Sequence, residues 1–222
     1  MAQDDQREHE MRLRFNLDEP SDRKRSGLDA ELSWPTGPVP FELKSTTKTS
    51  IATVRDFGPH YAAKWAPLHW LFAFYEPDEK TLRYSYYASP ADMAPWIAGR
   101  LEYVLPDVVL AERLPALLTD ADVTAVLGNG TSFTAADARR IMKNQWSAEE
   151  YKSNADLAGG LYSRAAMLLL LRERTRYVFE RGATLNNPHI PEAYLREHTT
   201  RIDDNHASEV RRLVGEYMKT LP

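Results

Sequence analysis

Between Gly27 and Thr47 the chain alternates so regularly that its local geometry is already constrained. Leu28, Ala30 and Leu32 interleave with Asp29 and Glu31, and Phe41 and Leu43 interleave with Glu42 and Lys44. Strand side chains point to opposite faces with period two, so each segment has one apolar face and one charged face. The intervening Trp34-Pro35-Thr36-Gly37-Pro38-Val39-Pro40 is dense in chain breakers. Strands over 28–33 and 40–45 are therefore expected to pair as an antiparallel hairpin, with the apolar set on a core and Asp29, Glu31 and Glu42 meeting Lys44 on the other side.

Clustered carboxylates repel one another and are best tolerated around a hard divalent cation. Mg²⁺ takes oxygen ligands, keeps several waters, and commonly uses one or two protein carboxylates together with phosphate oxygens of a substrate. Asp29 and Glu42 fit that ligand count. A phosphodiester approaching the bare acids would be repelled by about 4 kcal/mol per close charge pair at an effective dielectric of about 20. The residue types therefore point to metal-assisted phosphodiester hydrolysis, with Lys44 orienting the attacking water and offsetting developing charge. The competing reading is a solvated hairpin whose charges are merely its outer face.

An Asp on a short strand, a breaker-rich turn, and Glu42-Leu43-Lys44 on a second strand together resemble the PD-(D/E)xK nuclease signature. The segments that follow, Lys44-Ser45-Thr46-Thr47-Lys48-Thr49-Ser50 and Arg55-Asp56-Phe57-Gly58-Pro59-His60, are similar to those after the lysine in type II restriction endonucleases. The match departs from the signature at Leu28, which stands where the name has Pro. The likeness covers 27–96. It implies a restriction-endonuclease-like α/β core, a mixed central sheet flanked by helices. It also implies catalytic Asp29, Glu42 and Lys44, metal ligands Asp29 and Glu42, and Glu31 as an auxiliary acid. The expected activity is Mg²⁺-dependent cleavage of double-stranded DNA at a short sequence by a homodimer, since a two-fold protein suits a palindromic site. A cognate DNA methyltransferase belongs to the same expectation. Alternatives are a nonspecific or repair nuclease of that superfamily, or a non-catalytic DNA-binding protein.

Composition narrows the field. The chain has 222 residues and no cysteine, which excludes disulfides, thiolate nucleophiles and cysteine-bound zinc. The charged N-terminus lacks the apolar stretch of a signal peptide, and a cytoplasmic, membrane-free protein is expected. No His-x-x-x-His pair, glycine-rich phosphate loop or Gly-x-Ser-x-Gly occurs. A net charge of -4 calls for local basic regions if DNA is bound. Arg23-Lys24-Arg25 and the Lys44, Lys48, Arg55, Lys64 series supply them. Lys48 and Arg55, with Asn186, Asn187 and His189 near the end of a long helix, are the candidate DNA contacts.

The length allows one domain over 1–222, with a nuclease core over 1–106 and a helical part over 107–222 for DNA contacts or dimerisation. A helix is expected over 2–16. The apolar run 68–75 reads as a buried central strand, and the alternating 82–87 as its neighbour. Ser89-Pro90-Ala91-Asp92 marks a helix start running to about Val104. Beyond residue 107 only helical spacing is evident, over 108–118, 120–127, 134–144, 147–156, 160–181 and 206–219. In the long helix Leu161, Ala165, Leu168, Leu171 and Val178 are expected on the core stripe.

Overall fold

The computed structural model describes residues 3–20, 27–54, 57–78, 80–184 and 187–221. The chain forms two compact units, one from 1–103 and 186–222, the other from 104–185. In chain order it runs through α1 (Gln3–Phe15), β1 (Ala30–Leu32), β2 (Val39–Thr46), β3 (Ser50–Ala52), α2 (Pro59–Trp65), β4 (His69–Tyr75), β5 (Leu82–Ala88) and α3 (Pro90–Leu117). The second unit adds α4 (Asp120–Leu127), β6 (Ser132–Phe133), α5 (Ala135–Met142), α6 (Ala148–Ser153), β7 (Tyr162–Ser163) and α7 (Arg164–Thr184). The chain then returns to the first unit with β8 (His189–Pro191), α8 (Glu192–His198), β9 (Thr200–Ile202) and α9 (His206–Met218).

Among the described residues, five strands form a mixed sheet in the order β1-β2-β4-β5-β9. The expected hairpin is present: Ala30 pairs with Phe41 and Leu32 with Val39, antiparallel. From β2 the chain crosses through α2 and re-enters as β4 parallel to β2, with Glu42 beside Trp70 and Lys44 beside Phe72. Every residue of β4 is buried, as a central strand covered on both sides must be. One sheet face, carrying Ala30, Leu32, Phe41, Leu43 and Leu71, packs with Met11 and Phe15 of α1 and Val210 and Val214 of α9. The other face places Trp70 against Trp65 of α2, with ring centroids 5.0 Å apart in an edge-on arrangement. Each such aromatic side chain contributes about 1.5–3 kcal/mol by burial.

In the second unit, Val123, Phe133, Ala138, Ile141, Tyr162, Met167 and Leu170 make a separate core. The capping pairs Thr134 with Asp137 and Ser147 with Glu150 start α5 and α6, as the spacing predicts. Arg164 bonds Asp120 through Nε at 2.6 Å and Nη2 at 2.9 Å, and reaches the carbonyls of Gly128 and Gly130. It fastens the α4 end to the start of α7.

Three sequence expectations are corrected. Beyond residue 107 the chain is mostly helical but contains β6, β7, β8 and β9. Each is two or three residues long, too short for alternation to register. Residues 186–222 group with the first unit. The α3 helix continues past Val104 through Pro106 and Pro115, because its buried stripe of Met93, Ile97, Val104 and Ala111 is unbroken. Among the described side chains of α7 the buried ones are Ala166, Met167 and Leu170, while Val178 is 48% exposed. The run Ala165 to Leu171 is apolar all round, so period alone does not select its inner face. No described helix is long and apolar enough to cross a membrane.

Candidate active site

Phe41 and Leu43 are held in the core, so the pleat of β2 turns Glu42 and Lys44 to the opposite face. The β1–β2 register, continued by one residue, sets Asp29 opposite Glu42. Asp29 lies just before β1, and its Oδ2 accepts a 2.9 Å hydrogen bond from the Leu43 backbone N–H. A side-chain oxygen thus continues the ladder where the β1 backbone has ended. Two cations secure this segment: Arg12 Nη1 donates to the Asp29 carbonyl at 3.3 Å, and Lys64 Nζ to the Gly27 carbonyl at 2.9 Å.

Lys44 Nζ lies 2.6 Å from Glu42 Oε1 and 3.5 Å from Asp29 Oδ2. It also donates to the Leu43 carbonyl at 3.2 Å. The Glu42 side chain is only 5% exposed, against 17% for Lys44 and 18% for Asp29. Burial lifts the Glu42 carboxyl above the usual carboxylate range, and the adjacent Lys44 charge works against that lift. For Lys44, burial favours loss of the proton, but the charges of Glu42 and Asp29 outweigh it, and the ammonium is held more firmly than in water. Glu8 of α1 adds a weaker attraction in the same sense.

Glu42 Oε2 is buried without a hydrogen-bond partner. A buried carboxylate oxygen in that condition carries an unmet desolvation penalty, which a ligand can relieve. The donor set fits a hard cation of the magnesium type: two carboxylates, one with an unused oxygen. Among the described residues there is no group of three or more His, Cys, Asp or Glu side chains able to hold a metal. A hard ion held by only two protein carboxylates would have to be completed by water and substrate oxygens.

Among the described residues, Asp29 and Glu42 are the acids that pair with Lys44. Glu31 sits opposite Pro40, two positions along β1 from Asp29, or about 7 Å at strand rise, and its backbone bridges to Asp18. Lys48 is exposed in the turn leaving β2, four residues beyond Lys44. His189 begins β8, which pairs antiparallel with β3, and Asn187 is exposed just before it. Arg55 and Asn186 lie outside the described residues, as do Arg23, Lys24 and Arg25. His69 falls beside Phe41 on the opposite sheet face, bonded to the Tyr87 hydroxyl at 2.6 Å.

Lys64 and Glu8 were not separable from surface charges by sequence. A lysine near the end of a short helix carries no local sign that it will clamp a carbonyl near Asp29. Tertiary placement alone reveals it. No protein-family model matches the chain, and no curated protein matches it.

Proposed function

We propose that this protein is a Mg²⁺-dependent endonuclease acting on duplex DNA, of the type II restriction kind, with Asp29 and Glu42 holding the ion and Lys44 serving the attacking water. The observation that supports this reading is the convergence of Asp29 Oδ2 and Glu42 Oε1 on the Lys44 ammonium, with the second Glu42 oxygen buried and unpartnered. Bound Mg²⁺ would neutralise the acids, polarise a phosphoryl oxygen and lower the pKa of a coordinated water.

The chain's own groups supply the rest. Asp29 is held by the Leu43 N–H, so its orientation is set before substrate arrives. The Lys44 ammonium, kept protonated by the two acids, is suited to donate a hydrogen bond to the incoming water or to the charge that develops on phosphate. Trp70 lies beside Glu42 in the sheet and packs edge-on against Trp65, and apolar surroundings of this kind strengthen the charge interactions next to them. Cutting both strands of a palindromic site calls for two copies, and a homodimer belongs to the proposal. A restriction role further implies a methyltransferase that protects the same sequence.

The direct test is incubation of purified protein with phage DNA, in Mg²⁺ or in a chelator. Discrete fragments in Mg²⁺ and none in chelator are expected, and a smear would favour a nonspecific nuclease. Plasmid cleavage by Lys44→Ala at the wild-type rate would refute the assigned roles.

A further inference from the structure

The strands β3 and β8, separated by well over a hundred residues of chain, form a small antiparallel ribbon of their own. Ser50 pairs with Pro191, Ile51 with Ile190, and Ala52 with His189. Both ends are fastened: Thr53 donates to the Pro188 carbonyl through its N–H at 3.1 Å and its hydroxyl at 2.7 Å, and the Glu192 N–H donates to the Thr49 carbonyl at 3.0 Å. The ribbon is two-sided. Ile51 and Ile190 are fully buried at 0% exposure, while Ala52, His189 and Pro191 face outward with Ser50 half-exposed.

That outward face has a distinct chemistry. Across 47–52 and 187–191 there is no acidic residue, although the chain carries a net charge of -4. Lys48 is exposed in the turn that leads from β2 into β3. That turn is tight: Thr46 Oγ1 donates to the Ser50 carbonyl at 3.1 Å and accepts from the Lys48 N–H at 3.0 Å. The ribbon is therefore one turn beyond the end of β2, the strand that carries Glu42 and Lys44. Its outward side chains are small or polar, with Ser50 Oγ 3.4 Å from His189 Nδ1. They offer hydrogen-bonding groups and a cation, and lack the large apolar anchors that mark protein interfaces.

We propose that the β3–β8 ribbon enters the major groove of duplex DNA, with Ser50 and His189 against base edges and Lys48 on the phosphate backbone. The major groove, about 12 Å wide, admits a two-stranded ribbon and displays a distinct donor and acceptor pattern for each base pair. The small Ala52 and Ser50 let the ribbon approach closely, and its buried isoleucines keep it from yielding on contact. This inference rests on the nuclease reading and assigns its base-reading element.

The experiment selects sequences from a randomised duplex pool with full-length protein in Ca²⁺, a hard cation that takes the same oxygen ligands, and digests phage DNA in Mg²⁺ in parallel. For His189→Ala, unchanged binding of unselected duplex is expected, with about a tenfold or greater loss of preference for the selected sequence. Lys48→Ala should weaken selected and unselected duplex alike and lower the salt slope by about one. Ala52→Asp sits on the exposed face, leaves the buried isoleucines alone, and should lose about tenfold or more on every duplex. Wild-type sequence preference and fragment pattern in His189→Ala, together with wild-type duplex affinity in Ala52→Asp, would overturn the ribbon while leaving the nuclease intact. A wild-type protein that neither binds nor cuts duplex would overturn both.

Discussion

Replacing Lys44 by Met removes the cation bonded to Glu42 while keeping most of the side-chain volume. At an effective dielectric of about 20, the contacts at 2.6 Å and 3.5 Å correspond to roughly 6 and 5 kcal/mol of gross attraction. Desolvation of the ammonium offsets several kcal/mol of this, and solvent screens the more exposed Asp29. A net loss of about 3–5 kcal/mol is expected at about pH 7, the range for stranding one member of a buried pair. Acid should narrow the deficit. Glu42 already has a raised pKa in the folded protein, chiefly from burial, and loss of Lys44 raises it further. A group raised on folding favours the folded state below its unfolded pKa and ceases to do so as pH climbs through the folded value. The variant's carboxyl is thus tolerable when protonated and costly when charged. Urea unfolding of wild type and Lys44→Met in chelator, followed by tryptophan fluorescence at about pH 7 and about pH 5, measures both terms. A variant within about 1 kcal/mol of wild type at the higher pH, or a deficit that does not shrink at the lower, would refute the claim of a buried ion pair.

Millimolar Mg²⁺ should raise the melting temperature of the wild type through preferential binding to the folded state. Asp29→Asn and Glu42→Gln should abolish that increment, and an unchanged increment in both would place the ion elsewhere. Burial pushes His69 down to about 4, so the folded state disfavours its proton. About 3 kcal/mol of stability should be lost as pH falls from about 6.5 to about 4, and present again above that window. His69→Phe should flatten this dependence even though it forfeits the Tyr87 bond. Trp65→Ala, emptying a fully buried site between Phe57 and Trp70, should cost about 3–5 kcal/mol in urea unfolding. Arg164→Ala breaks the bonds to Asp120 and to the Gly128 and Gly130 carbonyls and should expose 118–132 to limited proteolysis before global unfolding, which wild-type cleavage kinetics would contradict.

Much of the candidate site is visible in a short stretch of chain. Alternation over Phe41 to Lys44 assigns Glu42 and Lys44 to the face opposite the core, and the breaker-rich turn returns Asp29 to them. The capping residues Ser89 with Asp92, Thr134 with Asp137 and Ser147 with Glu150 mark helix starts by purely local hydrogen bonding. Less legible is anything that needs two distant segments. Glu31 reads as equivalent to Asp29 by face, yet its position along the strand removes it from Lys44. Lys64 and Arg12 hold the 27–29 segment through backbone carbonyls, which sequence pattern does not advertise.

The sequence by itself determined which side chains each local element could bury, because strand and helix periods sort neighbouring residues onto faces without reference to the rest of the chain. Tertiary structure alone decided that β9 joins the main sheet, that residues 50–52 find 189–191, and that a Glu42 oxygen is sealed without a partner. Those outcomes depend on closing long loops and on burial supplied by remote segments, and no local pattern encodes either.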